Sequence, residues 1–330
     1  MNLFDTNASP IPPLEKVGTP ITAPIEEGPV DLIPGLLPRK GQLVIAGETN
    51  VGKSLVALEI CSALITGGPL WGELQPTAQA KKILYILGEH YNEVIQRLWQ
   101  YTHLPMTDQV YLIGPEQLGY DKWLVVNGRP NPTGINKLTR WSEGVDLVVF
   151  DPLAAFVSGV DTENDNITMR LVLDSMSVIT QRTGASCLIL AHQGKPMMDK
   201  FGAEHSRKSY AIRGASGIED AATNIFYLSM AEKGSSQAAQ ETADTKILSL
   251  RCRKYKGLAP EEYKLSRDEN TLVHTLLGNR PHTEVRAMET KNKSGRLQAA
   301  FPEMKTSEII KILAAINNQS DNTIRSYLAS

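Results

Sequence analysis

Gly47-Glu48-Thr49-Asn50-Val51-Gly52-Lys53-Ser54 has the spacing G-x-x-x-x-G-K-[ST] of a phosphate-binding loop. Its glycines let backbone N–H groups turn inward around phosphate oxygens. Lys53 can reach the β/γ oxygens, and the Ser54 hydroxyl can ligate Mg²⁺. The flanks agree with this reading. Leu43-Val44-Ile45-Ala46 is an apolar run of strand type, and Ser54-Leu55-Val56-Ala57-Leu58-Glu59-Ile60 begins a helical pattern. A loop between a strand and a helix N-terminus also has the helix dipole aimed at the phosphate. The expected ligands are ATP and Mg²⁺. The expected cradle is Gly47, Glu48, Thr49, Asn50, Val51, Gly52, Lys53, Ser54 and Leu55.

Outward from this loop, strands alternate with helices. Strands are predicted at Leu43–Ala46, Ile83–Leu87, Val110–Ile113, Leu147–Phe150 and Leu188–Ala191. Several are unbroken apolar runs, as expected where helices cover both sheet faces. Helices are predicted at Asn92–Tyr101 and Thr168–Thr183, the second stopping at Gly184. This alternation implies a mainly parallel, doubly wound α/β sheet flanked by helices. Beyond residue 220 the spacing tightens. Asn224–Met230, Lys246–Leu250, Glu262–Leu265 and Leu272–Leu276 read as an antiparallel extension of the sheet.

Residues 1–30 hold Pro10, Pro12, Pro13, Pro20, Pro24 and Pro29, a density that forbids helix and most ladder pairing. They read as a flexible arm, either a solvated tail or a reach to a neighbouring subunit. The core is expected over 31–278. A polar linker follows over 279–304, then a small helical unit over 305–330. In that unit Ser307–Ile316 places Ile309, Ile310, Leu313 and Ile316 on one stripe, and Asp321–Leu328 follows after a four-residue turn. The lengths are those of a helix-turn-helix, but only Arg325 is basic in the second helix. Reading DNA and docking on a protein partner both stay open.

Bulk properties set the boundaries. The 330 residues are 42% hydrophobic and 21% charged, with a formal net charge of −2. No global basic field draws in nucleic acid, so any such site must be a local patch. Cys61, Cys187 and Cys252 are far apart and read as reduced core residues without zinc spacing. No apolar run approaches the roughly 18 residues that span a bilayer. The N-terminus lacks the pattern of a secretory signal. These points lead us to expect a cytoplasmic protein without membrane contact.

Hydrolysis needs more than a phosphate loop: a metal carboxylate, a group that activates water and a sensor of the γ-phosphate. Asp151 ends the run Asp146-Leu147-Val148-Val149-Phe150-Asp151 and is the expected metal carboxylate, with Ser54 as the second metal ligand. Glu89, in Leu87-Gly88-Glu89-His90, is the candidate base. Its bland alternative is a helix N-terminal Glu favoured by the dipole. Gln193, in Ala191-His192-Gln193-Gly194-Lys195, is the candidate sensor. His192 accompanies it, and a satisfied core histidine is an equal reading. A parallel sheet places all three strand ends on one rim, the usual ligand crevice. Arg213 can supply a guanidinium to a γ-phosphate, or it can be a helix-start ion pair.

The elements Gly47–Ser54, Gly88-Glu89-His90, Phe150-Asp151-Pro152-Leu153, His192-Gln193-Gly194-Lys195 and Arg213-Gly214-Ala215-Ser216 occur in this order over residues 31–280. In this the chain resembles the RecA-like superfamily, and most closely the plasmid RepA-type hexameric helicases. The resemblance implies a ring with ATP at subunit interfaces, Glu89 as catalytic base and Arg213 as a finger acting on the neighbouring subunit's nucleotide. It implies a DNA-associated ATPase, helicase-like, of a plasmid, phage or other mobile element. The N-terminal arm, the long segment from Lys195 to Arg213 and the C-terminal unit depart from that pattern.

Single-stranded DNA is the expected polymer partner. Lys195, Lys200, Arg207 and Lys208 lie between the sensor and Arg213, with Phe201 and Tyr210 interleaved. Such a loop suits backbone contact with occasional base stacking, though a solvated surface loop has the same composition. A second basic cluster, Arg251-Cys252-Arg253-Lys254-Tyr255-Lys256, leaves a strand and could touch a neighbour's nucleotide or DNA.

Overall fold

The computed structural model describes residues 31–89, 92–101, 107–119, 123–159, 166–192, 215–230, 245–255, 260–281 and 304–317, with the isolated positions 294, 298 and 324–325. Its strands are β1 (Asp31–Ile33), β2 (Leu37–Pro38), β3 (Gln42–Gly47), β4 (Ile83–Leu87), β5 (Val110–Ile113), β6 (Val125–Val126) and β7 (Arg129–Pro130). Then come β8 (Leu147–Asp151), β9 (Val157–Ser158), β10 (Ser186–His192), β11 (Asn224–Met230), β12 (Thr245–Lys254), β13 (Pro260–Asp268) and β14 (His274–Pro281). The helices are α1 (Lys53–Thr66), α2 (Asn92–Tyr101), α3 (Pro115–Leu118), α4 (Pro132–Trp141), α5 (Asn166–Thr183), α6 (Ala215–Ala221) and α7 (Thr306–Asn317).

One 9-stranded sheet organises the chain, in the order β14-β13-β12-β11-β3-β10-β8-β4-β5. From β5 to β11 all pairings are parallel. β12, β13 and β14 then continue antiparallel. This is the expected mainly parallel sheet flanked by helices, with its antiparallel extension. Each face of the sheet buries its own apolar cluster, which explains the unbroken apolar strands. Val44 and Ala46 point to the face covered by α5, while Leu43 and Ile45 point to the face covered by α1.

Helix α1 is apolar nearly all round. Every residue except Ser54 and Thr66 is buried. A helix of that kind must be covered on its outer side as well as its inner one. Leu32, Ile33, Leu36, Leu37, Leu70, Trp71 and Ala80 join its cluster and supply that cover. The helix stops at Gly67, whose φ of 70° is the left-handed C-cap and whose N–H bonds Ala63 O at 2.8 Å.

One carboxylate is buried in this packing. Glu59 of α1 is 6% exposed. Its Oε1 accepts the backbone N–H of His274 at 2.7 Å. Its Oε2 accepts Trp71 Nε1–H at 2.8 Å and faces His274 Nδ1 at 2.9 Å. The hub ties the middle of α1 to the edge strand of the antiparallel extension.

Three sequence expectations need correction. The last strand begins at His274, not Leu272, because Leu272 has a φ of 57° and closes the turn after Asp268. That strand runs to Pro281, so residues 279–281 belong to the sheet and not to the linker, and the core extends past 278. Between Gly114 and Asp146 the structure adds α3, α4, β6 and β7, and β6 and β7 join β9 from beyond β8 in a small sheet that the sequence reading left unassigned. In the C-terminal unit α7 buries Ile309, Ile310 and Leu313 against Ile324, while most of Asp321–Leu328 lies outside the described residues.

Removing one partner of a buried, hydrogen-bonded charge strands the others. Glu59→Ala should cost about 3–5 kcal/mol of stability, read from a urea denaturation midpoint. A loss under 1 kcal/mol would show that Glu59 is no hub.

Candidate active site

The loop from Gly47 to Gly52 leaves the C-terminal end of β3 and enters α1. Gly47 is pressed against β11, where any Cβ would strike the Leu228 carbonyl. Gly52 occupies the N-cap with φ 110° and ψ 18°, a conformation that favours glycine, and no side chain caps the helix. The first N–H groups of α1 are thus left for a ligand.

Lys53 is 7% exposed. Its Nζ donates to the carbonyls of Gly47 at 3.0 Å and Glu48 at 2.7 Å. Burial lowers its pKa, opposed by the nearby Asp151 and Glu48 carboxylates. A buried ammonium whose hydrogen bonds go to backbone carbonyls, with carboxylates only nearby, is suited to an anion.

Asp151 is 4% exposed at the end of β8, so it is not an ordinary surface carboxylate. Its Oδ2 accepts the Ser54 hydroxyl at 2.8 Å. The same oxygen accepts the Tyr85 hydroxyl at 2.8 Å, from the neighbouring strand β4. Burial first, and then the Asp151 carboxylate, hold the Tyr85 phenol well above its usual pKa. Tyr85 therefore donates as a neutral phenol. A hydroxyl and a carboxylate, close together beside the phosphate loop, are hard oxygen donors that fit Mg²⁺. Ser54 and Asp151 are the residues that would hold it, with the remaining positions left to water and phosphate. Among the described residues no cluster of three His, Cys, Asp or Glu suits a softer metal.

Glu89 follows β4 on the same rim and is exposed. Gly88 makes this approach possible. Its N–H bonds Asp151 O at 2.8 Å, and a Cβ there would collide with Ala155. Glu89 and Asp151 therefore leave adjacent strands, with Leu87 paired to Asp151. His192 ends β10 in register with Gly47, directly beside the loop. Gln193, Arg213, Lys195, Lys200, Arg207 and Lys208 lie outside the described residues.

The basic cluster of β12 has acidic and carbonyl partners within the chain. Arg251 pairs with Glu262 at 3.2 Å and Arg253 with Glu219 at 3.0 Å. The Lys254 ammonium donates to the Glu219 carbonyl. Each of these three cations thus has a partner within the chain, and Lys256 lies outside the described residues. Cys61 and Cys187 are buried thiols with pKa pushed up by burial, as the core reading expects. No helix among the described residues is long and apolar enough to cross a membrane.

Tyr85 was not anticipated from sequence. Its signal is the one hydroxyl in the run Ile83-Leu84-Tyr85-Ile86-Leu87, whose alternation sends positions 85 and 87 toward α1. A hydrogen bond to a charged partner contributes about 1.5–3 kcal/mol. Tyr85→Phe should lower stability by that amount and weaken Mg²⁺ dependence of nucleotide binding. Titrating Mg²⁺ against a fluorescent ATP analogue checks this, and an unchanged midpoint for metal would refute it.

Comparison with known proteins agrees with this site. Residues 21–198, more than half of the chain, match the AAA domain family AAA_25. No curated protein matches. The flagellar accessory protein FlaH from Methanocaldococcus jannaschii has a TM-score of 0.44 at 11% identity, over 69% of this chain and 86% of its own. The KaiC-like protein PH0186 from Pyrococcus horikoshii OT3 has a TM-score of 0.47 at 12% identity, over 75% of this chain and 94% of its own. Likenesses of this size say nothing about activity. With its phosphate loop and buried strand-end aspartate in place, the chain belongs to the AAA domain family of P-loop ATPases.

Proposed function

We propose that this chain is a ring-forming, Mg²⁺-dependent ATPase that acts on single-stranded DNA, helicase-like, and related to the plasmid RepA-type hexameric helicases. The observation that carries the hydrolytic part is the contact of Ser54 and Asp151 at 2.8 Å beside the buried Lys53. Lys53 and the N–H groups of the loop bind and orient the β/γ-phosphates. Ser54 and Asp151 hold the metal, which when bound neutralises charge on the phosphates. Glu89, on the adjoining strand end, takes the proton of the attacking water. Gln193 and His192 sense the γ-phosphate. Arg213 reaches the nucleotide of the neighbouring protomer and couples turnover to assembly.

The DNA part rests on the sequence order of these elements and on Lys195, Lys200, Arg207 and Lys208. The ring's partners are copies of itself, and the N-terminal arm or the C-terminal helices offer surfaces for another protein. Replication of a plasmid or phage, in a cytoplasm, is the setting this reading fits.

Four measurements test it. Single-stranded DNA should stimulate ATP turnover severalfold. Lys53→Ala should abolish turnover, with loss of nucleotide binding. Arg213→Ala should lose turnover by about 10³-fold or more while binding stays near normal, because a trans arginine acts on the transition state. Equal loss of binding in Arg213→Ala would contradict the finger role. ATP-dependent DNA binding without strand displacement on a forked duplex would replace the helicase by an ATP-switched DNA-binding assembly protein.

A further inference from the structure

The tip of the β13–β14 hairpin lies against the phosphate loop, although the two are more than 200 residues apart in sequence. Arg267 is one residue from the end of β13, paired with Lys246 on one side and His274 on the other. Its side chain is 12% exposed. Nη1 donates to the carbonyl of Val51 at 3.4 Å, and Nε donates to Glu269 Oε1 at 2.7 Å. The guanidinium also covers Gly52. A Cβ at Gly52 would sit 3.2 Å from Nη1.

The direction of that contact matters more than its strength. The Val51 carbonyl and the Gly52 N–H belong to one planar trans peptide, so they point in opposite directions. Holding the carbonyl outward, toward Arg267, aims the Gly52 N–H inward at the phosphate position. Gly52 otherwise has wide conformational freedom, and its peptide is the one most in need of an external stop. Glu269 keeps the planar fork in place, and the turn behind it is locked. Asp268 Oδ1 accepts the N–H groups of Asn270 at 2.9 Å and Thr271 at 2.8 Å. His274, on the same hairpin, grips α1 through Glu59 at 2.9 Å. The hairpin therefore holds both the loop and the helix that follows it.

We infer that Arg267 is a positioning residue of the nucleotide site, fixing the Val51–Gly52 peptide so that the Gly52 N–H meets phosphate. This rests on the reading of Gly47–Ser54 as a triphosphate loop. Arg267 acts through the loop backbone and is not itself catalytic.

Arg267→Met keeps the aliphatic stem and removes the guanidinium, and Arg267→Lys keeps a charge without the fork. In the full-length protein, Arg267→Met should weaken binding of a fluorescent ATP analogue by about tenfold. KM for ATP should rise in step, with kcat changed far less. Arg267→Lys should recover only part of the affinity, because an ammonium cannot serve Val51 and Glu269 in the same planar geometry. The Gly52 amide resonance should lose most of its nucleotide-induced shift in Arg267→Met. Unchanged affinity and an unchanged Gly52 shift in Arg267→Met would overturn the inference, even if the variant melts earlier. Full recovery of affinity in Arg267→Lys would overturn it too, by reducing the effect to charge. Absence of ATP-analogue binding in the unaltered protein would instead remove the triphosphate reading, and this inference with it.

Discussion

Helix α1 cannot lie on a surface, and the shape of the molecule follows from that. Leu55, Val56, Leu58, Ile60, Leu64 and Ile65 point in too many directions for one apolar stripe. The sheet buries one side. The strands and turns around Leu32–Leu37 and Leu70–Ala80 bury the other. A helix held on both sides is a poor hinge. The phosphate loop entering it is therefore anchored at one end by β3 and at the other by a helix that has nowhere to move. Preorganisation of this kind is what electrostatic binding of a polyanion needs.

The same packing explains why catalytic groups converge. β3 lies between β10 and β11, and β8 and β4 follow beyond β10. All five run parallel, so Gly47, His192, Asp151 and Gly88 arrive at one rim. α1 starts above that rim and its first turn leans across β10, which lets Ser54 meet Asp151 two strands away from the loop's own strand. Tyr85 then closes the far side of the carboxylate. Two donors on one oxygen fix where that carboxylate points.

The parts of this arrangement that were legible in sequence are those written in local pattern. β4, β5, α2 and β11 have the bounds that apolar runs and periodicity predict, because buried strands and amphipathic helices impose their spacing on neighbouring residues. The loop and Asp151 were legible because their chemistry needs residues in fixed order. Tyr85 and Arg267 were not. Each acts across the sheet on a partner 66 or 216 residues away, and no local spacing encodes such a contact. Helix α4 was left unassigned, although Pro132 after Asn131 marks its start. The strand start at His274 escaped because the turn before it uses Leu272, a residue that ordinarily signals strand. The Arg251–Lys254 cluster looked like a nucleic-acid surface in one dimension. Its acids come from β13 and from α6, and only the fold brings them near.

Charge balance supplies the remaining argument. Around the loop, Lys53 is set against Asp151, and Arg267 against Glu269. With Glu48 beside Lys53 and Glu89 on the same rim, the described part of the pocket carries more negative than positive charge before any ligand arrives. A magnesium ion and one lysine neutralise only part of the charge on a triphosphate, and Arg267 is turned toward a backbone carbonyl and a carboxylate. More positive charge is needed where the bond to the γ-phosphate breaks. Helix N-terminal N–H groups help the β-phosphate, at the other end of that bond. An additional cation at the γ-phosphate is what a hydrolytic reading of this site asks for, and Arg213 of a neighbouring protomer is the source we propose.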